Sequence, residues 1–206
     1  MQKFLGKSYI RERKRDYYYR KAKSERYRSR AVYKLLEAIK KFNFIREGDF
    51  VVDLGAAPGG WTQVCTKIVG EKGFVLAIDL RPLKPFKAKN VLTIVEDISN
   101  KDLPSKIMSI LGRKVDVVVS DVSPNLSGVW EVDHARQIKL ACDSLNIAEC
   151  ILKEGGNFFV KIFEGDLKDD FLKKMKEKFS TVRVFRPKAT RKRSSEIYFL
   201  GLGYHA

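Results

Sequence analysis

Residues 49–61 read Asp49-Phe-Val-Val-Asp53-Leu-Gly55-Ala-Ala-Pro58-Gly59-Gly60-Trp61. A short apolar run that ends in an acid and then in glycines is typical of a buried strand followed by a tight turn. Glycine at such a turn lets the backbone approach a ligand closely, because there is no Cβ. The turn has neither the G-x-G-x-x-G spacing nor the lysine of a G-x-x-x-x-G-K-[ST] loop, so it does not indicate a dinucleotide or a nucleoside triphosphate.

The same kind of apolar run recurs along the chain. Further strands are predicted at 74–78, 91–95, 115–119 and 158–163, separated by helices at 61–69, 101–111 and 132–153 and preceded by a helix at 29–42. Strands that alternate with helices predict an α/β fold with a doubly wound, mostly parallel sheet. After a helix at 167–178, the strands at 181–185 and 197–202 are joined by a loop too short for a helix, so this pair should be antiparallel. We therefore predict a single-domain, Rossmann-like sheet of seven strands whose last strand is antiparallel.

The positive charge is concentrated in two segments. The net charge is +16, and residues 1–30 hold twelve Lys or Arg against three acids, while residues 183–193 hold six and no acid. Such clustering is typical of a surface that binds a polyanion. The first segment also contains tyrosines that could stack on bases, whereas disordered charged tails are usually poor in aromatics. We divide the chain into a basic, tyrosine-rich extension, 1–28, and a domain, 29–206, and expect nucleic-acid contacts from residues 1–26.

Several classes of protein are not indicated. The sequence has no run of eighteen apolar residues that would predict a membrane span, and its polar first thirty residues do not resemble a secretion signal. The three cysteines form no C-x-x-C pair, so neither disulfides nor zinc are predicted. We expect a cytoplasmic monomer that binds no metal and no membrane.

Acids at the ends of successive strands predict a ligand site. In an open α/β sheet, ligands bind beyond the carboxyl ends of the strands. Asp79 ends the second strand, where it could accept hydrogen bonds from a ribose diol, and Asp97 follows the third, within reach of an adenine amino group. Each acid alone could equally be a helix cap or a turn residue. Together with the glycine turn, they predict a nucleoside ligand without phosphate, namely S-adenosylmethionine.

Two lysines and two acids could meet beside that ligand. Lys161 lies inside the apolar strand at 158–163, where an unpaired ammonium is costly to bury. Asp121 ends the fourth strand, and Glu196 begins the antiparallel strand, which brings it to the same edge of the sheet. Lys34 is on the first helix and could simply be solvated. If all four converge, the paired opposite charges offset the cost of desolvation.

Five segments in collinear order carry a family resemblance, and they are residues 27–37, 52–61, 120–128, 160–163 and 193–198. With these segments the chain resembles the FtsJ family of RNA methyltransferases. The resemblance implies that the family's K-D-K-E tetrad falls on Lys34, Asp121, Lys161 and Glu196. It places the cofactor contacts, together with the glycines of the first turn, on Gly55, Gly59, Gly60, Trp61, Asp79, Asp97 and Asp121.

The resemblance implies an S-adenosylmethionine-dependent methyltransferase that acts on a ribose 2′-hydroxyl of RNA. It is closest to the short members that methylate a uridine in large-subunit ribosomal RNA, so ribosomal RNA or the large ribosomal subunit is the expected partner. Lys161 is then the expected general base, because a ribose hydroxyl is a weak acid. Lys34 and Glu196 would orient the hydroxyl and Lys161, with Asp121 between the cofactor and the tetrad.

Other functions stay open. A transfer-RNA anticodon loop or a messenger cap could be the acceptor, and a non-catalytic ribosome-assembly factor could have the same fold. Base N-methylation is disfavoured, because residues 121–125 lack the double proline and the aromatic residue that such enzymes use against a flipped base.

Overall fold

The computed structural model describes residues 16–206. The helices of this part of the chain are α1 Tyr17–Ser24, α2 Val32–Phe42, α3 Gly60–Val69, α4 Leu103–Leu111, α5 Trp130–Ile151 and α6 Lys168–Lys178. The strands are β1 Phe50–Leu54, β2 Phe74–Asp79, β3 Val91–Val95, β4 Val115–Ser120, β5 Leu152–Phe163, β6 Phe179–Phe185 and β7 Glu196–Tyr204. No helix in the described part is long and apolar enough to cross a membrane.

The strands form one seven-stranded sheet in the order β3-β2-β1-β4-β5-β7-β6. The five strands β1 to β5 pair in parallel, and β7 is antiparallel to both of its neighbours, β5 and β6. The predicted fold class is confirmed, including the antiparallel last strand. The strand order reverses between β1 and β4, which is where an open α/β sheet binds its ligand.

Strand β5 begins earlier than predicted. Leu152 already pairs with Val115, and the register shifts before Asn157 pairs with Val117. The intervening residues are polar or glycine and break the apolar pattern on which the prediction relied. Hydrophobic periodicity therefore found only the buried half of this strand.

Helices cover both faces of the sheet. On one face, α4, α5 and α6 bury residues such as Ile107, Leu145 and Phe171 against β1, β4 and β5. On the other face, α2 and α3 bury Leu35 and Val64 against the same strands. The central strands are therefore apolar on both sides, which explains their nearly continuous apolar sequences.

Part of the predicted N-terminal extension packs on the domain. Asp16 caps the start of helix α1, because its side chain accepts a hydrogen bond from the backbone N–H of Tyr19. Ala22 of α1 is buried, and Tyr18 and Tyr27 pack against the core on the α2 side. These two tyrosines are therefore turned toward the protein, while Tyr17 is exposed. The contacts predicted for residues 1–15 lie outside the described residues, and the boundary after residue 28 stays a prediction.

Candidate active site

A cavity of about 880 Å³ lies at the carboxyl ends of the parallel strands. Its volume is in the range of small-molecule and cofactor sites. Six of the predicted site residues line it, namely Gly55, Asp79, Asp97, Asp121, Lys161 and Glu196. The sheet topology thus brings together side chains that are far apart in the sequence.

One end of the cavity contains two of the predicted acids. Asp79, the last residue of β2, is nearly buried, and its two carboxylate oxygens accept hydrogen bonds from the backbone N–H groups of Ala57 and Arg81, each at 2.9 Å. These bonds fix the carboxylate at the cavity wall. Asp97 is exposed beyond β3, where it accepts a hydrogen bond from the N–H of Ser99. Both carboxylates keep oxygen lone pairs for a further donor.

The glycine turn is shaped by its neighbours. Gly55 has a φ of +74°, and a Cβ placed there would lie 2.6 Å from Cγ2 of Val122. A side chain at this position is therefore excluded both by backbone conformation and by the chain that leaves β4. The turn brings Gly55 and Ala57 to the wall of the cavity.

Three predicted cofactor residues face elsewhere. A Cβ on Gly59 would meet Arg28 and Phe86, and a Cβ on Gly60 would meet Ser29. The indole of Trp61 is buried, stacks on Phe159 and donates a hydrogen bond to the carbonyl of Ala31. None of the three lines the cavity. Their contact with a cofactor stays a prediction, and the position of these residues points to packing of α3 against α2.

The four residues of the predicted tetrad form two ion pairs. Nζ of Lys34 is 2.7 Å from Oε2 of Glu196. Nζ of Lys161, a residue only 4% exposed, is 3.3 Å from Oδ1 of Asp121 and donates to that residue's carbonyl at 2.9 Å. Lys34 does not line the cavity, but it lies beside it because it pairs with Glu196, which does. These contacts explain how the two lysines are tolerated at low exposure.

Strand register places Lys161 and Glu196 on the same side of the sheet. Lys161 of β5 pairs with Tyr198 of β7, and Phe163 pairs with Glu196. Residues directly opposite each other in an antiparallel pair project from one face, and so do alternate residues of one strand. Lys161, Tyr198 and Glu196 therefore share a face, as the prediction required.

Tyr198 is a site residue that sequence reasoning missed. Its hydroxyl donates a 2.9 Å hydrogen bond to Oδ1 of Asp121, and its ring centroid is 5.7 Å from Nζ of Lys34. It therefore lies between the two ion pairs. Its period-two spacing from Glu196 on a strand was a signal that could have identified it.

The charges of the site act on the pKa of Asp121. Burial alone would raise this pKa, but Lys161, Lys34 and the hydrogen bond from Tyr198 together lower it below its ordinary value. Burial and the neighbouring carboxylates of Asp121 and Glu196 raise the pKa of Tyr198 well above its ordinary value. Asp121 is thus an anion and Tyr198 a neutral donor at neutral pH.

Asp53, the acid at the end of β1, does not line the cavity. Its side chain is fully buried behind the glycine turn, and one oxygen accepts a 2.7 Å hydrogen bond from the hydroxyl of Thr62. The other oxygen has no partner among the described residues. Burial raises the pKa of Asp53 to about 7, opposed by the bond from Thr62. The carboxyl group of Asp53, directly behind the glycine turn, can therefore gain or lose a proton near neutral pH.

The residues present fit an adenosyl sulfonium cofactor. The cavity has a carboxylate fixed for a diol at Asp79, an exposed carboxylate at Asp97, and the glycine turn between β1 and α3. A carboxylate held at low pKa, Asp121, lies on the side of the tetrad and suits a positively charged group. In the described part of the chain, no group of His, Cys, Asp and Glu has the arrangement of a metal site.

Solved structures with this fold define its class. The archaeal fibrillarin of Aeropyrum pernix, solved with natively bound S-adenosylmethionine, superposes with a TM-score of 0.58 at 16% identity over 83% of this chain and 76% of that chain. A Plasmodium falciparum protein described as a ribosomal RNA methyltransferase superposes with a TM-score of 0.77 at 26% identity, over 86% of this chain and 98% of that chain. The fold is that of the S-adenosylmethionine-dependent methyltransferases.

Sequence comparison identifies the family. The profile of the FtsJ-like methyltransferases matches residues 27–204. The chain is 48% identical to the ribosomal RNA large subunit methyltransferase E of Methanocaldococcus jannaschii, over 96% of this chain and 82% of that protein. It is 44% identical to the protein of the same name from Methanobrevibacter smithii, over 97% of this chain and 95% of that protein. The chain belongs to the FtsJ-like methyltransferase family, and the predicted family is confirmed.

Proposed function

We propose that this protein is an S-adenosylmethionine-dependent methyltransferase of large-subunit ribosomal RNA and that its acceptor is a ribose 2′-hydroxyl, that of a uridine. The observation that carries the proposal is the convergence of Lys34, Asp121, Lys161 and Glu196 at one end of the cavity. The name shared by its relatives supports ribosomal RNA as the substrate. The net charge of +16 is consistent with an RNA partner.

One part of the cavity would hold the cofactor, and the other part would hold the acceptor ribose. Gly55, Asp79 and Asp97 would hold the adenosyl part of S-adenosylmethionine, with Asp79 as acceptor for the ribose diol. When bound, this cofactor would supply an electrophilic methyl group on a sulfonium, whose sulfur would keep the electron pair of the broken methyl–sulfur bond and leave as the thioether of S-adenosylhomocysteine. Asp121 lies between the two halves, since it lines the cavity and contacts Lys161. The chain would thereby hold the two reactants side by side, and such positioning is a large part of catalysis in group transfer.

The tetrad would act on the acceptor hydroxyl. In its neutral form, Lys161 would take the proton that the 2′-hydroxyl loses as its oxygen bonds to the methyl carbon. Asp121 holds Lys161 through the 3.3 Å contact between Oδ1 and Nζ. Tyr198 in turn holds Asp121 through a 2.9 Å hydrogen bond from its hydroxyl. The Lys34–Glu196 pair would help to orient the hydroxyl and Lys161. Because these contacts exist before any substrate binds, little reorganisation is needed.

The rival functions have less support. No relative or neighbour described above has a name that refers to transfer RNA or to a messenger cap. An assembly factor without activity would not need two lysines at low exposure, each paired with an acid beside the cavity. We therefore place ribose methylation of ribosomal RNA first.

Mapping of ribose methylation tests the substrate. We expect cells that lack this gene to lose one 2′-O-methyl group, on a uridine of large-subunit ribosomal RNA, and to regain it when the gene is returned. A full set of ribosomal ribose methyl groups in the deletion strain, together with a missing one in transfer RNA, would contradict the proposal.

Replacing Lys161 tests the catalytic role. We expect Lys161→Ala to reduce methyl transfer by at least about a thousandfold, because proton transfer and positioning are lost together. Cofactor binding, measured by calorimetry, should change little, since Lys161 contacts the acceptor side. Lys173→Ala, which removes an exposed lysine of α6, is the matched control. Turnover of the Lys161 variant near that of the control would remove this residue from the mechanism.

A further inference from the structure

A patch of exposed apolar side chains lies around the start of α5. It consists of Leu126, Val129, Trp130, Val132 and Leu167. Scattered exposed apolar residues are ordinary, but five of them near the start of one helix, beside the cavity, mark a candidate binding surface. The family assignment does not account for it, and none of the predicted site residues belongs to it.

Trp130 is held in a fixed stack of rings. Its ring centroid is 5.5 Å from that of His134 with an interplanar angle of 14°, and 6.2 Å from that of Phe163 with an angle of 22°. His134 is buried, and its Nε2 accepts a hydrogen bond from the backbone N–H of Leu167. Burial lowers the pKa of His134, although Asp166 opposes this, so the imidazole is neutral. Trp130 is nevertheless 45% exposed, so part of this aromatic residue remains open to solvent.

The ring stack adjoins the acceptor side of the cavity. Phe163 ends β5, the strand that carries Lys161, and it pairs directly with Glu196 of β7. The chain that leads to Trp130 starts at Asp121 and passes through Ser123, Pro124 and Asn125, which line the cavity. One surface therefore runs from the tetrad to Trp130.

The loop before Trp130 is itself ordered. Asp133 accepts hydrogen bonds from the backbone N–H and the hydroxyl of Ser127, and from the N–H of Gly128, at 2.7 to 3.0 Å. These three bonds lower the pKa of Asp133 together with the charge of Arg136, although burial opposes them. The carboxylate thus closes the turn that presents Trp130, and little conformational entropy is lost when a ligand binds.

We propose that Trp130 is a stacking platform for an unpaired base of the RNA substrate, that of the methylated nucleotide or its immediate neighbour. The proposal rests on the proposed function, because it assigns the acceptor side of the same site. Stacking on an aromatic side chain can hold a base while the attached ribose reaches the tetrad. Such stacking accommodates any of the four bases. The cations Arg136, which lines the cavity, and Arg186, which flanks the end of β5 through its pair with Glu164, are placed for the adjoining phosphates. An RNA strand is therefore favoured over an apolar peptide.

Tryptophan fluorescence tests the contact without any catalysis. The chain has two tryptophans, and Trp61 is 3% exposed, so the difference in emission between the natural protein and Trp130→Phe reports Trp130. The probes are a ten-nucleotide oligouridylate and an abasic ribose-phosphate oligomer of equal length, with binding followed by anisotropy. We expect oligouridylate to quench the Trp130 emission about twofold or more at saturation, and the abasic oligomer to leave it unchanged. Equal quenching by both, or none with bound oligouridylate, would overturn the proposal.

Kinetics test whether the contact serves the reaction. With large ribosomal subunits that lack the methyl group, we expect Trp130→Ala to reduce kcat/KM about tenfold, mostly through KM, and Trp130→Phe to stay within about threefold. Trp130→Leu keeps apolar bulk without an aromatic face, so it should behave like the alanine variant and provides a second test if that variant does not fold. Ile110→Ala, which shortens an exposed apolar side chain of α4 outside the patch, should leave kcat/KM unchanged.

The two proposals fail differently. If the natural protein methylates no large subunit, the proposed function fails, whereas the quenching result still decides the stacking contact. If the natural protein is active and Trp130→Leu matches it in kcat/KM, the platform is wrong and the proposed function stands.

Discussion

At the scale of single residues, the buried charged side chains around the cavity, within residues 16–206, are paired with groups of opposite charge. Lys161 and Lys34 are paired with Asp121 and Glu196, and the hydroxyl of Tyr198 supports Asp121. Asp53 is the exception, since one of its buried oxygens has no partner in the described part of the chain. A buried carboxyl without a cation is expected to keep its proton to a higher pH.

The pH dependence of stability tests that state of Asp53. Its pKa of about 7 in the folded protein exceeds its ordinary value of 3.8, so between these values the folded state binds one more proton than the unfolded state. The free energy of unfolding should therefore fall as pH rises from about 4 to about 7, by up to about 1.4 kcal/mol per pH unit from this group. Asp53→Asn should remove this component.

Urea unfolding at pH 5, 6, 7 and 8 measures this effect. We expect the stability of Asp53→Asn relative to the natural protein to increase with pH up to about 7 and then level off. Asp170→Asn, which replaces an exposed carboxylate of α6, should follow the natural protein at every pH. Parallel curves for Asp53→Asn and the natural protein would mean that Asp53 is already ionised in the folded state at pH 5.

At the scale of elements, the basic loop 186–193 is fastened to the N-terminal helix. Asp16, which caps α1, forms ion pairs with Arg30 and Arg191, and Arg30 also donates to the carbonyl of Ala189. The backbone N–H of Lys188 donates to Glu37 of α2. The loop therefore has a defined position beside β7, while the side chains of Lys188 and Lys192 are exposed.

Those two exposed lysines make the element's contribution to RNA binding testable. If each contacts one phosphate, the double change Lys188→Ala and Lys192→Ala should make the slope of log K against log salt less steep by about 1.4, the single-strand value for two phosphates. Anisotropy titrations with oligouridylate from low to high salt measure the slope. The double change Lys173→Ala and Lys176→Ala on α6 removes equal charge and should leave it unaltered. Equal slopes for both double variants would mean that Lys188 and Lys192 do not contact RNA phosphates.

At the scale of the whole molecule, the cofactor cavity exists only in the folded chain. It is assembled from residues that follow β1, β2, β3 and β4, together with α5. A ligand that binds this cavity must therefore stabilise the fold by mass action. S-adenosylhomocysteine, the product of methyl transfer, is the simplest probe, because it leaves no reactive methyl group.

Thermal unfolding measures that stabilisation. At one hundred times its dissociation constant, S-adenosylhomocysteine should add about 2.7 kcal/mol and raise Tm by roughly 5 to 10 °C for a chain of this size. Asp79→Asn should reduce the shift at the same ligand concentration, because the carboxylate that we propose accepts hydrogen bonds from the ribose diol is lost. Glu177→Gln, an exposed change on α6, should not. An unchanged shift in the Asp79 variant would place the nucleoside elsewhere in the cavity.

The sequence by itself determined the fold class and the family. Alternating apolar runs and helices gave the order of the strands along the chain, and the short connection before β7 required an antiparallel partner. The motifs at residues 52–61 and 120–128 resembled one family, which the comparisons confirmed. These inferences depend on local patterns, which a sequence carries directly.

Only the tertiary structure decided which side chains touch. The pairing of Lys34 with Glu196, the hydrogen bond from Tyr198 to Asp121 and the placement of Trp61 in the core depend on strand register and helix rotation. The stack of Trp130 on His134 and Phe163 depends in the same way on how α5 lies against the end of β5. These contacts join residues distant along the chain, and a shift of one residue in register would turn the strand side chains to the other face of the sheet.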